Sequence, residues 1–136
     1  MVIFGAMINW TDTHAHIYAR EFDDDRDEML SRCAAHDIGT IYMPNVDHTS
    51  IDRMLEVEAD HPHTCVALMG LHPCSVKKDF EKELYQVEDW LGKRKFAAIG
   101  EIGTDLYWDK THWPQQREAF MIQLNWARQY KLPVVI

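Results

Sequence analysis

Short apolar runs alternate with longer amphipathic stretches along this chain, and that alternation limits what it can fold into. The runs occupy residues 7–10, 40–43, 66–69, 97–99 and 133–136. They are near-continuous and partly β-branched, which suits strands buried on both faces, as in parallel sheets. Helical patterns lie between them. The first covers residues 24–35, with Met29, Leu30, Cys33 and Ala34 on one side and acidic residues in the opening turn. The second covers residues 51–60, with Ile51, Met54 and Leu55 inward and Pro62 as a stop. The third covers residues 80–91. There Phe80, Leu84, Val87 and Leu91 recur at helical spacing, and Gly92 stands where a glycine just past the helix end is expected. The fourth starts near Pro114 and turns Phe120, Leu124 and Ala127 inward.

Five strands alternating with four helices predict a parallel α/β fold. A doubly wound sheet and a barrel both satisfy the pattern. A dinucleotide-binding sheet wants a Gly-rich turn after its first strand. Here that turn reads Asp12-Thr13-His14-Ala15-His16 and holds no glycine, which favours the barrel. A closed eight-stranded barrel takes ~250 residues. The chain is therefore expected to form the first half of a TIM (β/α)8 barrel, four βα units plus the start of the fifth strand. It is read as one partial domain over residues 1–136, with 1–6 an N-terminal extension. Residues 133–136 read as the inside of a strand, so a fragment or truncated product is expected.

Composition then removes some functions. A net charge of −8 argues against broad electrostatic binding to a nucleic-acid backbone, which needs clustered Lys and Arg. An enzyme that grips one or two phosphates through metal ions stays compatible. No apolar run approaches membrane-spanning length, so no membrane partner is expected. Cys33, Cys65 and Cys74 are odd in number and form no CxxC pair, which fits reduced thiols and a cytoplasmic protein.

The candidate chemistry lies just after the apolar runs. His14 and His16 follow the first run. At the end of an extended strand, side chains two apart point the same way, and two converging imidazoles can share a Zn²⁺-like ion. Their place after a strand puts them at the C-terminal face, where barrel enzymes keep their active sites. The alternative is a pair of turn histidines. His61 and His63 repeat the spacing but precede a strand, so they belong at the opposite face and read as bland; His36, His48 and His112 read as surface or loop residues. Glu101, between Gly100 and Gly103, follows the fourth run and falls on the same face as His14 and His16. A carboxylate there can bridge two ions, which sit ~3.5–4 Å apart in such sites. Asp12 either orients an imidazole or caps the turn. His72, after the third run, either touches substrate or holds its loop. Asp105 and Tyr107 either contact substrate or pack the loop after Glu101. Trp108 and Trp113 are read as covering the barrel end.

In their order, these motifs resemble the TatD-type metal-dependent deoxyribonucleases of the amidohydrolase-like TIM-barrel superfamily. The resemblance rests on Asp12-Thr13-His14-Ala15-His16, Gly70-Leu71-His72-Pro73, and Gly100-Glu101-Ile102-Gly103 with Asp105 and Tyr107. It continues through Gln116, Phe120, Gln123, Leu124 and Ala127 to Leu132-Pro133-Val134-Val135-Ile136, and so covers the chain from Ile8 onward. Thr104 departs from the leucine common in the family. The resemblance implies a divalent metal pair (Zn, Mg or Mn), with His14 and His16 on one ion and Glu101 bridging. It also implies metal-activated hydrolysis of DNA phosphodiesters. The family's remaining ligands, two histidines and an aspartate from later strands, have no counterpart in these residues. Three classes follow for function: a metal-dependent nuclease, a related hydrolase of C–N or ester bonds, and a non-catalytic fragment. For the chain by itself, weak metal binding, low turnover and association through open half-barrel edges are expected.

Overall fold

The computed structural model describes residues 9–136. The proposed extension and the start of the first apolar run lie outside the described residues. The first strand, β1, is Trp10–Asp12, followed by α1 (Arg26–Ala35), β2 (Ile38–Pro44), α2 (His48–Asp60), β3 (Cys65–Leu68), α3 (Phe80–Lys93) and α4 (Trp113–Tyr130). The strands pair in parallel in the order β1-β2-β3. Two further segments continue the same order through single parallel bridges, Met69 with Ile99 and Ile99 with Val134. All five predicted strands are thus in sequence order, but the last two are far shorter than the apolar runs. Pro133 has no N–H to give and contributes only its carbonyl, to the Ile99 amide at 2.9 Å.

Each helix lays an apolar stripe on the sheet. α3 buries Phe80, Leu84, Val87 and Leu91, as its spacing predicts. α2 buries Ile51, Met54 and Val57, with Leu55 partly covered. It starts one turn earlier than the apolar pattern. The Asp47 carboxylate accepts from the Thr49 amide at 2.9 Å, and the Ser50 hydroxyl accepts from the Asp47 amide at 3.3 Å. This is a capping box that satisfies donors the helix leaves free. In α1 Leu30 is buried and Ala34 is exposed, against the expected inward face. The inward face of α4 is centred on Gln116, Ala119, Gln123, Trp126 and Ala127, with Phe120 and Leu124 at its margin. Gly92 lies inside α3 rather than past its end; the helix stops at Lys93. The three cysteines are unpaired.

Two glycines make opposite predictions. A methyl group at Gly70 would stand 2.9 Å from the Gly100 carbonyl carbon and 2.9 Å from Ile102 Cγ2, whereas one at Gly92 would meet nothing within 4 Å. Gly70→Ala should destabilise by about 1–3 kcal/mol through overpacking. Gly92→Ala should stabilise by about 0.5–1 kcal/mol through helix propensity. Urea unfolding midpoints check both; a neutral Gly70→Ala would show that the strands have room to part.

Candidate metal centre

The C-terminal ends of the strands deliver four side chains to one place. β1 ends at Asp12, and the chain turns through His14 and His16. The turn is fixed by its own sequence, because the Asp12 carboxylate accepts from the His14 amide at 3.0 Å. Asp12 therefore caps the turn and touches no imidazole nitrogen in this arrangement. His14 Nε2 and His16 Nε2 lie 3.3 Å apart. Glu101 Oε2 is 2.9 Å from the first and 3.5 Å from the second. Its other oxygen, Oε1, is 3.2 Å from His72 Nε2. One carboxylate thus has an oxygen toward the histidine pair and an oxygen toward a third imidazole.

The donor set fits a metal ion. The candidate ligand atoms of His14, His16 and Glu101 all lie within 4.8 Å of one another. Two nitrogens at ~2.1 Å from a tetrahedral ion stand about 3.4 Å apart, and the two Nε2 atoms are 3.3 Å apart. Burial, and then the neighbouring His14 ring, hold His16 below the ordinary imidazole pKa, while Glu101 pulls the other way. A neutral ring is the form a metal requires.

His72 differs from the pair. Its Nδ1 accepts from the Cys74 amide at 3.0 Å, capping a short 3₁₀ turn, Pro73–Ser75. A ring nitrogen that accepts from an N–H carries no proton, so the neutral ring keeps its proton on Nε2. His72 therefore donates to Glu101 Oε1. It is a hydrogen-bond donor that orients the carboxylate.

Asp105 and Tyr107 lie outside this cluster. Asp105 Oδ1 accepts from the amides of Tyr107 at 2.7 Å and Trp108 at 3.3 Å, and the Cys74 thiol donates to Oδ2 at 3.3 Å. The Tyr107 amide, then the thiol, hold its carboxyl below the usual range. Oδ1 is spent on the loop and Oδ2 on the Cys74 thiol of the 3₁₀ turn. Tyr107 and Trp108 are 83% and 77% exposed and meet edge to face at 4.8 Å, so Trp108 stands out from the surface, whereas Trp113, the other residue read as covering the barrel end, is partly buried at the start of α4. His61 and His63 stay at the far ends of the strands. His61 is 3.5 Å from Asp27 and lines a cleft with Leu30, Ile38 and Thr64.

Sequence reasoning gave no structural role to the residues that hold the strand ends, although Gln116 and Gln123 stand in the motif that carries the resemblance. Asn45, just past β2, donates to the Gly70 carbonyl at 2.8 Å and accepts from Ser50 at 2.8 Å. Gln123 accepts from the Leu71 amide at 2.7 Å and donates to the Leu71 carbonyl at 3.3 Å. Gln116 does the same for Asp105, at 2.8 and 3.0 Å. The two glutamines, seven apart on α4, carried a signal: polar residues in a helix's inward stripe need partners.

Comparison with known proteins gives the family. The profile of the family described as TatD related DNase matches residues 11–136. The chain belongs to that family. An uncharacterized metal-dependent hydrolase of Bacillus subtilis, YabD, is 32% identical over 125 residues, covering 92% of this chain and 49% of YabD. The crystal structure of YjjV, a TatD homologue from Escherichia coli K12, superposes with a TM-score of 0.82 at 33% identity, over 92% of this chain and 49% of YjjV. The 3′-5′ ssDNA/RNA exonuclease TatD of Cronobacter sakazakii is 26% identical, over 92% of this chain and 47% of that protein. The fold is thus the α/β fold of the TatD barrels, and the chain spans about half the length of the relatives it matches.

The role of Asp12 can be tested on metal affinity in the intact TatD-family protein. Asp12→Asn keeps the acceptor oxygen and should leave affinity unchanged. Asp12→Ala frees the His14 turn and should cost about 1 kcal/mol, roughly fivefold in affinity. Calorimetric titration with Zn²⁺ measures both. An equal loss in the two variants would mean that the charge matters, not the cap.

Proposed function

We propose that the whole protein is a divalent-metal-dependent hydrolase that cleaves DNA phosphodiesters with activated water. The observation that carries this reading is the convergence of His14 Nε2, His16 Nε2 and Glu101 at the spacing of one tetrahedral ion. Relatives named as metal-dependent hydrolases, and one named as an ssDNA/RNA exonuclease, support it. His14 and His16 would hold one of two ions, and Glu101 would bridge to the second. Such a pair would lower the pKa of bound water toward about 7 and would place positive charge beside the phosphoryl oxygens. A chain of net charge −8 has little positive charge of its own to offer there.

The chain's own residues do the positioning. His72 donates to Glu101 Oε1 and so turns the other oxygen toward the histidine pair. Asp105 holds the loop that presents Tyr107, and we propose the exposed Tyr107 ring as a contact for the substrate. A cytoplasmic location fits the three unpaired thiols. Among the described residues no helix is long and apolar enough to cross a membrane.

In the intact protein, Glu101→Ala should lower hydrolysis of single-stranded DNA by at least about a thousandfold, and a chelator should do the same to the wild type. Retained activity in both would sink the metal mechanism. Parallel assays on small amides and esters separate a related hydrolase, because metal ligands alone do not select the scissile bond. For the 136-residue chain alone we propose weak metal binding and self-association. Its open edges carry Trp10, 61% exposed, and Ile136, 76% exposed. Sedimentation should find dimers or larger species; a stable monomer counts against it.

A further inference from the structure

An imidazole has two nitrogens, and only the one with a bare lone pair can hold an ion. His16 Nε2 faces the metal centre. Its Nδ1 faces away, to the Tyr18 hydroxyl at 2.7 Å. Tyr18 is 3% exposed, and its hydroxyl also lies 2.5 Å from the Pro44 carbonyl oxygen at the end of β2. A carbonyl oxygen only accepts. The single phenolic proton is spent on Pro44, so the Tyr18 oxygen meets His16 as an acceptor. The ring proton must then sit on Nδ1.

We propose that Tyr18 is a positioning residue whose hydroxyl, oriented by the Pro44 carbonyl, fixes His16 as the Nδ1–H tautomer and keeps Nε2 bare for a metal ion. This rests on the metal-dependent reading given above. Glu101 makes the device necessary. Its Oε2 lies 3.5 Å from His16 Nε2, and a carboxylate is a strong acceptor that favours a proton on the nitrogen facing it. With Tyr18 closer, at 2.7 Å, the proton stays on the far side of the ring.

The backbone around Tyr18 is held as well. Arg26 donates to the carbonyls of Ile17 at 2.8 Å and Ala19 at 3.2 Å, and Arg53 donates to the Tyr18 carbonyl at 3.0 Å. Both guanidiniums also pair with Asp23. Three successive carbonyls are thereby tied, which holds the backbone that carries the phenol beside Pro44. His72 supplies the contrast, since the Cys74 amide fixes the opposite tautomer there.

The test uses the intact protein, metal-free and titrated with Co²⁺. Two-bond ¹H–¹⁵N spectra of the metal-free wild type should report Nδ1–H at His16 and Nε2–H at His72. Tyr18→Phe keeps the ring and removes the hydroxyl. It should move the His16 proton to Nε2 and weaken Co²⁺ binding about 10–100-fold, with circular dichroism confirming the fold. A folded Phe variant with unchanged Co²⁺ affinity overturns the proposal. If that variant fails to fold, the wild-type spectrum decides, and a His16 proton on Nε2 overturns it equally. A wild type that binds no Co²⁺ yet shows the Nδ1–H form defeats the metal reading and leaves the tautomer relay standing.

Discussion

β2 and β3 end while still inside the protein, and the backbone groups at those ends need partners that the sheet does not supply. A buried amide or carbonyl left alone costs about 1–3 kcal/mol. The buried polar residues described are Asn45, Gln116 and Gln123. All three spend their amide groups on this problem, at Gly70, Leu71 and Asp105. Those positions are the approaches to His72 and the loop after Glu101. The side chains that satisfy the fold are therefore the ones that aim the candidate site. A rigid shelf of backbone results, held from α4 on one side and from the start of α2 on the other, through Ser50 and the capping box.

On that shelf, Glu101 is the hub. Its side chain is 20% exposed, and it has imidazole nitrogens within 3.5 Å on both oxygens. A carboxylate largely withdrawn from water needs hydrogen-bond donors or a cation beside it. His72 gives a donor from one side. On the other side the two strand-one nitrogens stand where an ion can join them to the carboxylate.

How far the sequence reveals this depends on the range of each interaction. The parallel α/β order, the four helices and the shared end of His14, His16 and Glu101 follow from local periodicity and from which side of a strand each residue lies on. His61 and His63 have the same spacing as His14 and His16, yet they precede β3 and end at the far side. Polarity along the chain discriminated where the motif did not. What stayed hidden is non-local. Gln123 and Leu71 are 52 residues apart, and Tyr18 and Pro44 are 26 apart. No periodicity brings such pairs together. Local errors had local causes: Gly92 looked like a helix stop, but the charged end of α3 tolerates it one residue further on, and the capping box at Asp47 begins α2 before its first apolar residue.

Three histidines crowd Glu101 in this site, and residue type does not tell their work apart. The side of the ring that the protein occupies does. At His72 a backbone amide takes the Nδ1 lone pair, which leaves Nε2–H to donate. At His16 a buried hydroxyl stands at Nδ1, with its own proton engaged by a carbonyl, which leaves Nε2 bare. The first ring can position a carboxylate but cannot bind an ion without breaking its cap. The second can bind an ion through a nitrogen already aimed at it. A motif such as HxH states which imidazoles are available, but the groups behind the rings decide which of them can be ligands, and here those groups belong to a turn and a strand end that the motif does not contain.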